Sequence, residues 1–258
     1  MAVLVSCLAL VSVSAVESPT GVRNSAGKHR LSEGQLQQLQ ESLQHKTGFM
    51  ELRFDGEGML TLGDRRRLQG GSATARTLLI AAADSRNLYE LESHPRSPEI
   101  AFARLIEGRI LEISETGERV SVSQVQIDFD DFDRLEGARE AKAALDVGLS
   151  LLHELVHGVM KLKDPKDRID QIGECDAHVN QIRRELQLPE RLHYYPGITV
   201  TRSSGRNIIH ASIDFVDQPA ENAASRVKYR LYYLPSAVSP NARNIAQLQE
   251  GTMQSMRR

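Results

Sequence analysis

The spacing of apolar and polar residues predicts two helices in the first third of the chain. Over 32–46, apolar residues recur every three or four positions after Ser32, which is suited to cap a helix N-terminus, and Gly48 follows the last of them. Over 73–83, a second apolar segment follows Ser72, another N-cap residue type. Both segments are expected to pack one face against the core.

Extended segments form one group before the middle of the chain and another near its end. Period-two alternation predicts a hairpin over 49–62 and further strands in both groups. These strands are predicted over 88–93, 100–106, 109–113 and 120–129, and then over 198–202, 207–215 and 227–234. Glycine-containing turns separate the first group, so an antiparallel meander is expected there.

Residues 138–162 are predicted to form a helix whose centre is almost free of charge. Between positions 147 and 160 the only formally charged residue is Glu154, which lies inside an H-E-x-x-H motif with His153 and His157. Histidines four apart on a helix lie on the same face, so both imidazoles can bind one metal ion. Glu154 is placed to take a proton from an attacking water. The alternative is a buried helix with two hydrogen-bonded histidines and an incidental glutamate.

The motif resembles the active-site helix of zincin metallopeptidases. That resemblance implies that both histidines bind Zn2+, that Glu154 is the general base and that the substrate is a peptide or protein. The motif does not match the metzincin group of zincins, because Met160 and Lys163 occupy the positions of that group's glycine and third histidine.

A third metal ligand is expected on the next predicted helix, over 173–187, because zinc bound by two histidines needs one more protein ligand. Glu174 and His178 flank the apolar stripe of this helix on one side and Asp176 flanks it on the other. Resemblance to the glutamate zincins favours Glu174, with His178 and Asp176 as alternatives. Cys175 lies in the stripe itself, where a packed thiol is the favoured interpretation.

Three residues that closely follow this helix are candidate oxyanion donors, namely His193, Tyr194 and Tyr195. A tyrosine or histidine near a metal can donate a hydrogen bond to a tetrahedral intermediate. Ordinary strand packing is the alternative for each of them.

Composition narrows the classes of partner. The 258 residues include 26% charged residues with a formal net charge of -2, which favours neither nucleic acid nor a polybasic membrane surface as a partner. The chain has no tryptophan, so its core is expected to be mainly aliphatic. Its two cysteines, Cys7 and Cys175, would not both remain after removal of a leader, so the fold is not expected to depend on a disulfide.

The N-terminal residues predict export. Residues 1–15 are apolar or small and end in Val-Ser-Ala, which is typical of a secretory signal peptide, although a basic n-region is missing. The apolar segment is shorter than the roughly 20 residues that span a membrane, so no stable span is expected. Residues 16–30 are predicted to be a flexible tether and 235–258 a polar tail.

Together these patterns predict an α+β fold in which an antiparallel sheet precedes the H-E-x-x-H helix, a second ligand-bearing helix and a strand-rich C-terminal part. A helix and sheet part over 31–134 and a metal-binding part over 135–234 would compose it. The expected function is that of an exported, periplasmic or extracellular zinc-dependent hydrolase, and specifically a metallopeptidase. The alternative is a secreted binding protein with a structural or inactive zinc site.

Overall fold

The computed structural model describes residues 20–113, 118–166, 171–203, 206–217 and 226–233, which form an α+β fold with two main sheets. The strands are β1 Gly21–Asn24, β2 Arg53–Phe54, β3 Leu60–Thr61, β4 Leu88–Ser93, β5 Ala103–Ile113, β6 Glu118–Ile127, β7 Glu136–Gly137, β8 Glu190–Arg191, β9 Gly197–Ser203, β10 Arg206–Val216 and β11 Lys228–Tyr233. The helices are α1 Glu33–Thr47, α2 Ala73–Ala83, α3 Phe129–Asp133, α4 Arg139–Ala143, α5 Val147–Leu155 and α6 Gly173–Glu185, with a π-helical segment over Val156–Met160.

The first main sheet is mixed, so the expectation of an antiparallel meander is wrong for this part of the chain. Its strand order is β1-β4-β6-β5, in which β1 pairs parallel to β4 and β4 parallel to β6. Only β5 and β6, which follow each other directly, are antiparallel. Strand β6 therefore lies between β4 and β5, although it follows both of them in the chain. Turn residues alone do not predict this order.

Strand β5 is one long strand where two were expected. The residues assigned to a turn, Ile106-Glu107-Gly108-Arg109, instead form a bulge at which the register with β6 shifts. Gly108 has a φ of 108°, which a residue with a side chain rarely adopts, so the glycine permits the bulge. The strand continues past this irregularity along the edge of the sheet.

The second main sheet is antiparallel and contains the predicted C-terminal strands. Its order is β7-β11-β10-β8, and β9 also pairs with β10. The sheet buries one face against α4 and the residues around it in a core separate from the larger one that α1, α2, α5 and α6 share with the first sheet.

Helices α1 and α2 begin and end close to the predicted positions because their caps are local. Ser32 and Gln35 form a capping box at the start of α1, and Gly48 ends it in the left-handed conformation with a φ of 78°. At α2, the side chain of Ser72 accepts a hydrogen bond from the backbone N–H of Ala75.

The single helix expected over 138–162 is divided into α4, α5 and the π-helical segment. Asp146 interrupts it, because its side chain accepts a hydrogen bond from the backbone N–H of Leu149 and so caps a new helix. Lys46 and Ser42 of α1 bind the same carboxylate at 2.9 Å each. Those contacts fix the start of α5 against α1.

The segment predicted to be a flexible tether, residues 16–30, contains a strand. In place of a flexible segment, Gly21–Asn24 form β1, and Val22 is fully buried. The predicted leader over 1–15 and the predicted tail over 235–258 lie outside the described residues. No helix in the described ranges has both the length and the apolar character needed to cross a membrane.

Candidate metal centre

The two histidines of the motif face each other across one helical turn. His153 lies in α5 and His157 in the π-helical segment, and their ring centroids are 5.0 Å apart with the planes at 76°. The π-helical segment ends at Lys161, which has a left-handed φ of 59°. Single π turns in helices are frequent at functional sites, and this one determines the position of the second imidazole.

Asp164, which the sequence analysis did not consider as a ligand, lies between the two rings. Its Oδ2 is 3.1 Å from Nε2 of His157, and its Oδ1 is 3.4 Å from Nε2 of His153. A tetrahedral zinc ion with bonds of about 2.0–2.1 Å separates neighbouring ligand atoms by roughly 3.3–3.4 Å. Oδ1 of Asp164 is buried and accepts no well-aligned hydrogen bond from the described residues. The three side chains are of the types that bind zinc, and their ligand atoms lie close enough together to hold one metal ion.

The second nitrogen of each ring has its own partner. Nδ1 of His157 donates a hydrogen bond to the backbone carbonyl of Leu162 at 2.8 Å. Nδ1 of His153 lies 3.6 Å from Oδ1 of Asp176, longer than a hydrogen bond but close enough for the acid to orient the ring. A metal-binding histidine commonly donates its second N–H to a carbonyl or carboxylate, which leaves the lone pair on the other nitrogen. Both Nε2 atoms are thus the ones placed to bind a metal ion.

The ionisable groups of the cluster shift one another's pKa values. Burial would lower the pKa of His153, but Asp164 and Asp176 outweigh it and raise that pKa to about 10. Burial would likewise raise the pKa of Asp164, yet the two neighbouring imidazoles and the hydroxyl of Tyr194 hold it well below its usual range. The carboxylate is therefore ionised and can accept either protons on the imidazoles or a cation between them.

Glu154 lies in the same cavity as the histidines and is only 7% exposed. Burial raises the pKa of its carboxyl group, while the neighbouring His153 and His157 oppose that shift. The nearby backbone amide of Leu105 in β5 also favours its charged form. The carboxylate that the motif predicts to be a base therefore lies next to the edge strand.

Cys175 lies in contact with the cluster. Its thiol is fully buried in the larger core, as the packed interpretation predicted, and its Sγ is 3.1 Å from Nδ1 of His157. Burial raises the pKa of this thiol, and nearby carboxylates raise it further. Together with the two histidines and Asp164, its sulfur completes a group of four ligand atoms that lie within 4.8 Å of one another.

Of the predicted third ligands, Glu174 and His178 do not join this group. Glu174 is exposed on α6 and is not among the residues of the metal-ligand group found in the described chain. His178 is half-buried, and its Nε2 has no hydrogen-bond partner among the described residues. Neither side chain lines the cavity that contains the histidines.

Asp176, the remaining candidate ligand, lies beside Nδ1 of His153 and close to two arginines. It is fully buried, and its Oδ2 is 3.0 Å from Nη1 of Arg191 while its Oδ1 is 3.6 Å from Nη1 of Arg183. Burial would raise its pKa, but Arg191 and His153 hold it well below the usual range. An ionised Asp176 matched by two arginines can orient His153 without binding the metal itself.

Of the three candidate oxyanion donors, the two tyrosines line the cavity. The hydroxyl of Tyr194 donates a hydrogen bond to Oδ2 of Asp164 at 2.7 Å, and that of Tyr195 donates one to the carbonyl of Pro165 at 2.7 Å. His193 is not a lining residue, and its buried Nδ1 has no hydrogen-bond partner within the described ranges. Tyr194 is therefore the candidate that lies nearest to the proposed ligands.

The histidines open into a cavity of about 630 Å3 between the edge strand β5, helix α5 and the second main sheet. Comparisons of the chain with protein-family models, curated proteins and solved structures find no match.

Proposed function

We propose that this protein is a zinc-dependent metallopeptidase in which His153, His157 and Asp164 hold the metal and Glu154 is the general base. One observation carries the proposal. Both Nε2 atoms face the same carboxylate at 3.1 and 3.4 Å, while both Nδ1 atoms face acceptors on their other side. Two histidines and one carboxylate are a common ligand set of hydrolytic zinc sites, which keep one position open for water.

When bound, zinc would lower the pKa of a water molecule and polarise the carbonyl of the substrate. Glu154 would take the proton of the attacking water and pass it to the leaving amine, because its carboxyl group shares the cavity with the histidines. Asp176 and the carbonyl of Leu162 would keep the two imidazoles in orientation. Tyr194 would turn its hydroxyl from Asp164 towards the developing oxyanion.

The peptide substrate is part of the proposal and follows from the resemblance of the motif to zincins. The cavity supports it in size, because ligand-binding clefts usually enclose about 300–1,000 Å3. Residues of the edge strand β5 line it together with Tyr194 and Tyr195.

A structural zinc site in a binding protein is the second candidate, and Cys175 is the observation that favours it. A buried thiolate joined to two histidines and a carboxylate would give a closed, four-ligand site. Against it, the sulfur contacts Nδ1 of His157, whereas Asp164 faces Nε2 of the same ring. Since the two ring nitrogens point in different directions, sulfur and carboxylate lie on different sides of the imidazole.

The decisive experiment combines elemental analysis with hydrolysis of a broad peptide library by the purified protein. We expect about one zinc per chain, loss of hydrolysis after chelation and recovery on adding zinc back. Glu154→Gln should retain zinc and lose hydrolysis, and Cys175→Ser should retain both. Zinc that is lost in Cys175→Ser, or full hydrolysis by Glu154→Gln, would contradict the proposed catalytic site. Zinc without any cleavage of the library would favour the structural candidate.

A further inference from the structure

The cavity extends from the histidines into an apolar recess whose wall is one cross-strand row of the second sheet. Ala211 of β10 is paired with Ile198 of β9 on one side and with Tyr233 of β11 on the other. Cross-strand partners point to the same face of a sheet, and all three residues line the cavity. The small side chain of Ala211 lies in the centre of the row between two larger ones and is buried in the core of this sheet.

Helix α5 connects this recess to the proposed catalytic residues. Leu149 also lines the cavity and precedes His153 by four residues, so it lies one turn, about 6 Å, further along the same helix face. Leu145 continues the apolar lining beyond the helix start. At the far end, the ring of Phe102 packs edge-on against Tyr233 with the centroids 4.9 Å apart. The recess thus begins within one turn of the nearer histidine.

Two charged groups that line the cavity, Arg183 and Arg191, are already matched within the fold. Arg183 donates hydrogen bonds to the carbonyl of Ala144 and to Oδ1 of Asn180, both at 2.9 Å. Arg191 donates to two backbone carbonyls and lies 3.0 Å from Asp176. Because these groups are engaged, the surface that the recess offers to a ligand is predominantly apolar. Burial of an apolar side chain there would be favourable, whereas a charged one would lose hydration without a partner.

We propose that this recess binds one large apolar side chain, aromatic or aliphatic, of a substrate residue close to the bond that is cleaved. The inference rests on the proposed function for the position of the cleaved bond. The binding itself does not depend on turnover. In this proposal Ala211 and Ile198 select the substrate. Neither residue has a part in the proposed chemistry.

The absence of tryptophan from the sequence makes the test direct, because the fluorescence of a tryptophan in a ligand has no background from the protein. Blocked pentapeptides of alanine and glycine with one central tryptophan are titrated against zinc-loaded Glu154→Gln protein, which keeps the peptide intact. We expect a blue shift of the tryptophan emission on binding. Matched peptides with phenylalanine or leucine at the centre should displace the probe at concentrations at least about tenfold lower than peptides with aspartate or lysine.

Two substitutions locate the bound side chain. Ala211→Leu adds bulk to the wall of the recess and should weaken binding about tenfold, while Ile198→Ala removes part of the wall and should weaken it severalfold. Ile198 is half-buried, so its variant tests the recess even if the first fails to fold. Ala177→Leu, on the exposed face of α6, is the matched control and should bind like the parent protein.

The proposal is overturned by an emission that does not shift, by a shift that survives both recess variants, or by equal competition from charged and apolar peptides. Failure of the proposed function looks different. In that case wild-type protein would cleave no peptide, while the apolar probe would still bind and still respond to the two substitutions. Conversely, zinc-dependent cleavage without preference at any flanking position would support the proposed metallopeptidase activity and contradict the proposed role of the recess.

Discussion

Replacing Asp164 by asparagine distinguishes the ligand set that we propose from the one that the sequence favours. The substitution keeps the shape of the side chain and an oxygen that can accept the hydrogen bond from Tyr194, but it removes the charge. Glu174→Gln makes the same chemical change at the exposed acid that was expected to be the third ligand. If Asp164 holds the metal, only the first variant should lose zinc affinity.

The size of the effect follows from the share of one ligand in the binding free energy. Structural sites with four protein ligands bind zinc with a free energy of about 10–16 kcal/mol, so one ligand of such a set contributes roughly 3 kcal/mol. That amount corresponds to an increase of about 100-fold in the Kd for zinc. One effect acts in the opposite direction. Asp164 helps to raise the pKa of His153 to about 10, so its removal also eases the competition between protons and zinc.

The assay is competition for zinc against a chromophoric chelator, performed at several pH values so that proton competition is separated from ligand loss. After correction for proton competition at each pH, Asp164→Asn should bind zinc about 100-fold more weakly than the parent, and Glu174→Gln should bind it as the parent does. Thermal unfolding of the metal-free proteins checks that both variants fold. Equal zinc affinity of Asp164→Asn and the parent, or a loss confined to Glu174→Gln, would refute the assignment of Asp164.

Three further predictions concern stability. Burial raises the pKa of Asp131 to about 6, so the folded state keeps a proton that the unfolded state releases above about pH 4. Stability should therefore fall by up to about 3 kcal/mol as the pH rises from 4 to 6, and denaturant titrations of Asp131→Asn should lack that fall. Glu185 accepts hydrogen bonds at the N-terminus of α2 from Ser72 and Thr74, and Glu185→Ala should cost about 1 kcal/mol, whereas an unchanged denaturation midpoint would contradict this role. A Cβ at Gly158 would lie 2.5 Å from a ring carbon of the buried Tyr89. Gly158→Ala should therefore lower the free energy of unfolding by about 1–3 kcal/mol. A melting temperature equal to that of the parent would show that the Tyr89 ring moves aside without cost.

The parts of the fold that the sequence predicts well are those with local causes. Ser32, Gly48 and Ser72 bond to backbone groups within a few residues of themselves, so the ends of α1 and α2 follow from their neighbours in the chain. The C-terminal strands alternate clearly and pair in sequence order or nearly so. In contrast, the pairing of β1 with β4 and of β4 with β6 joins distant segments in parallel, which no local pattern specifies.

Asp164, the proposed third ligand, is not predicted by the spacing of residues along the next helix. The chain instead reverses directly after the motif, where Lys161 adopts a left-handed conformation and returns Asp164 to the histidines. Such a conformation is uncommon for lysine, and nothing in the residue type predicts it. The available signal was an acidic residue immediately before Pro165, since a residue in that position is held out of the helix and its side chain is free to turn inward.

The same short loop both supplies a proposed ligand and orients another. Leu162 accepts the hydrogen bond from Nδ1 of His157, and Asp164, two residues later, faces Nε2 of that ring. A loop that moved away would release the carboxylate and the imidazole together, because both contacts belong to one segment. Its outer end is tied to the bulge of β5 by an ion pair of 2.5 Å between Lys161 and Glu107. Since exposed ion pairs contribute little, the burial of Asp164 between two imidazoles and the hydroxyl of Tyr194 is the stronger constraint on where the loop lies.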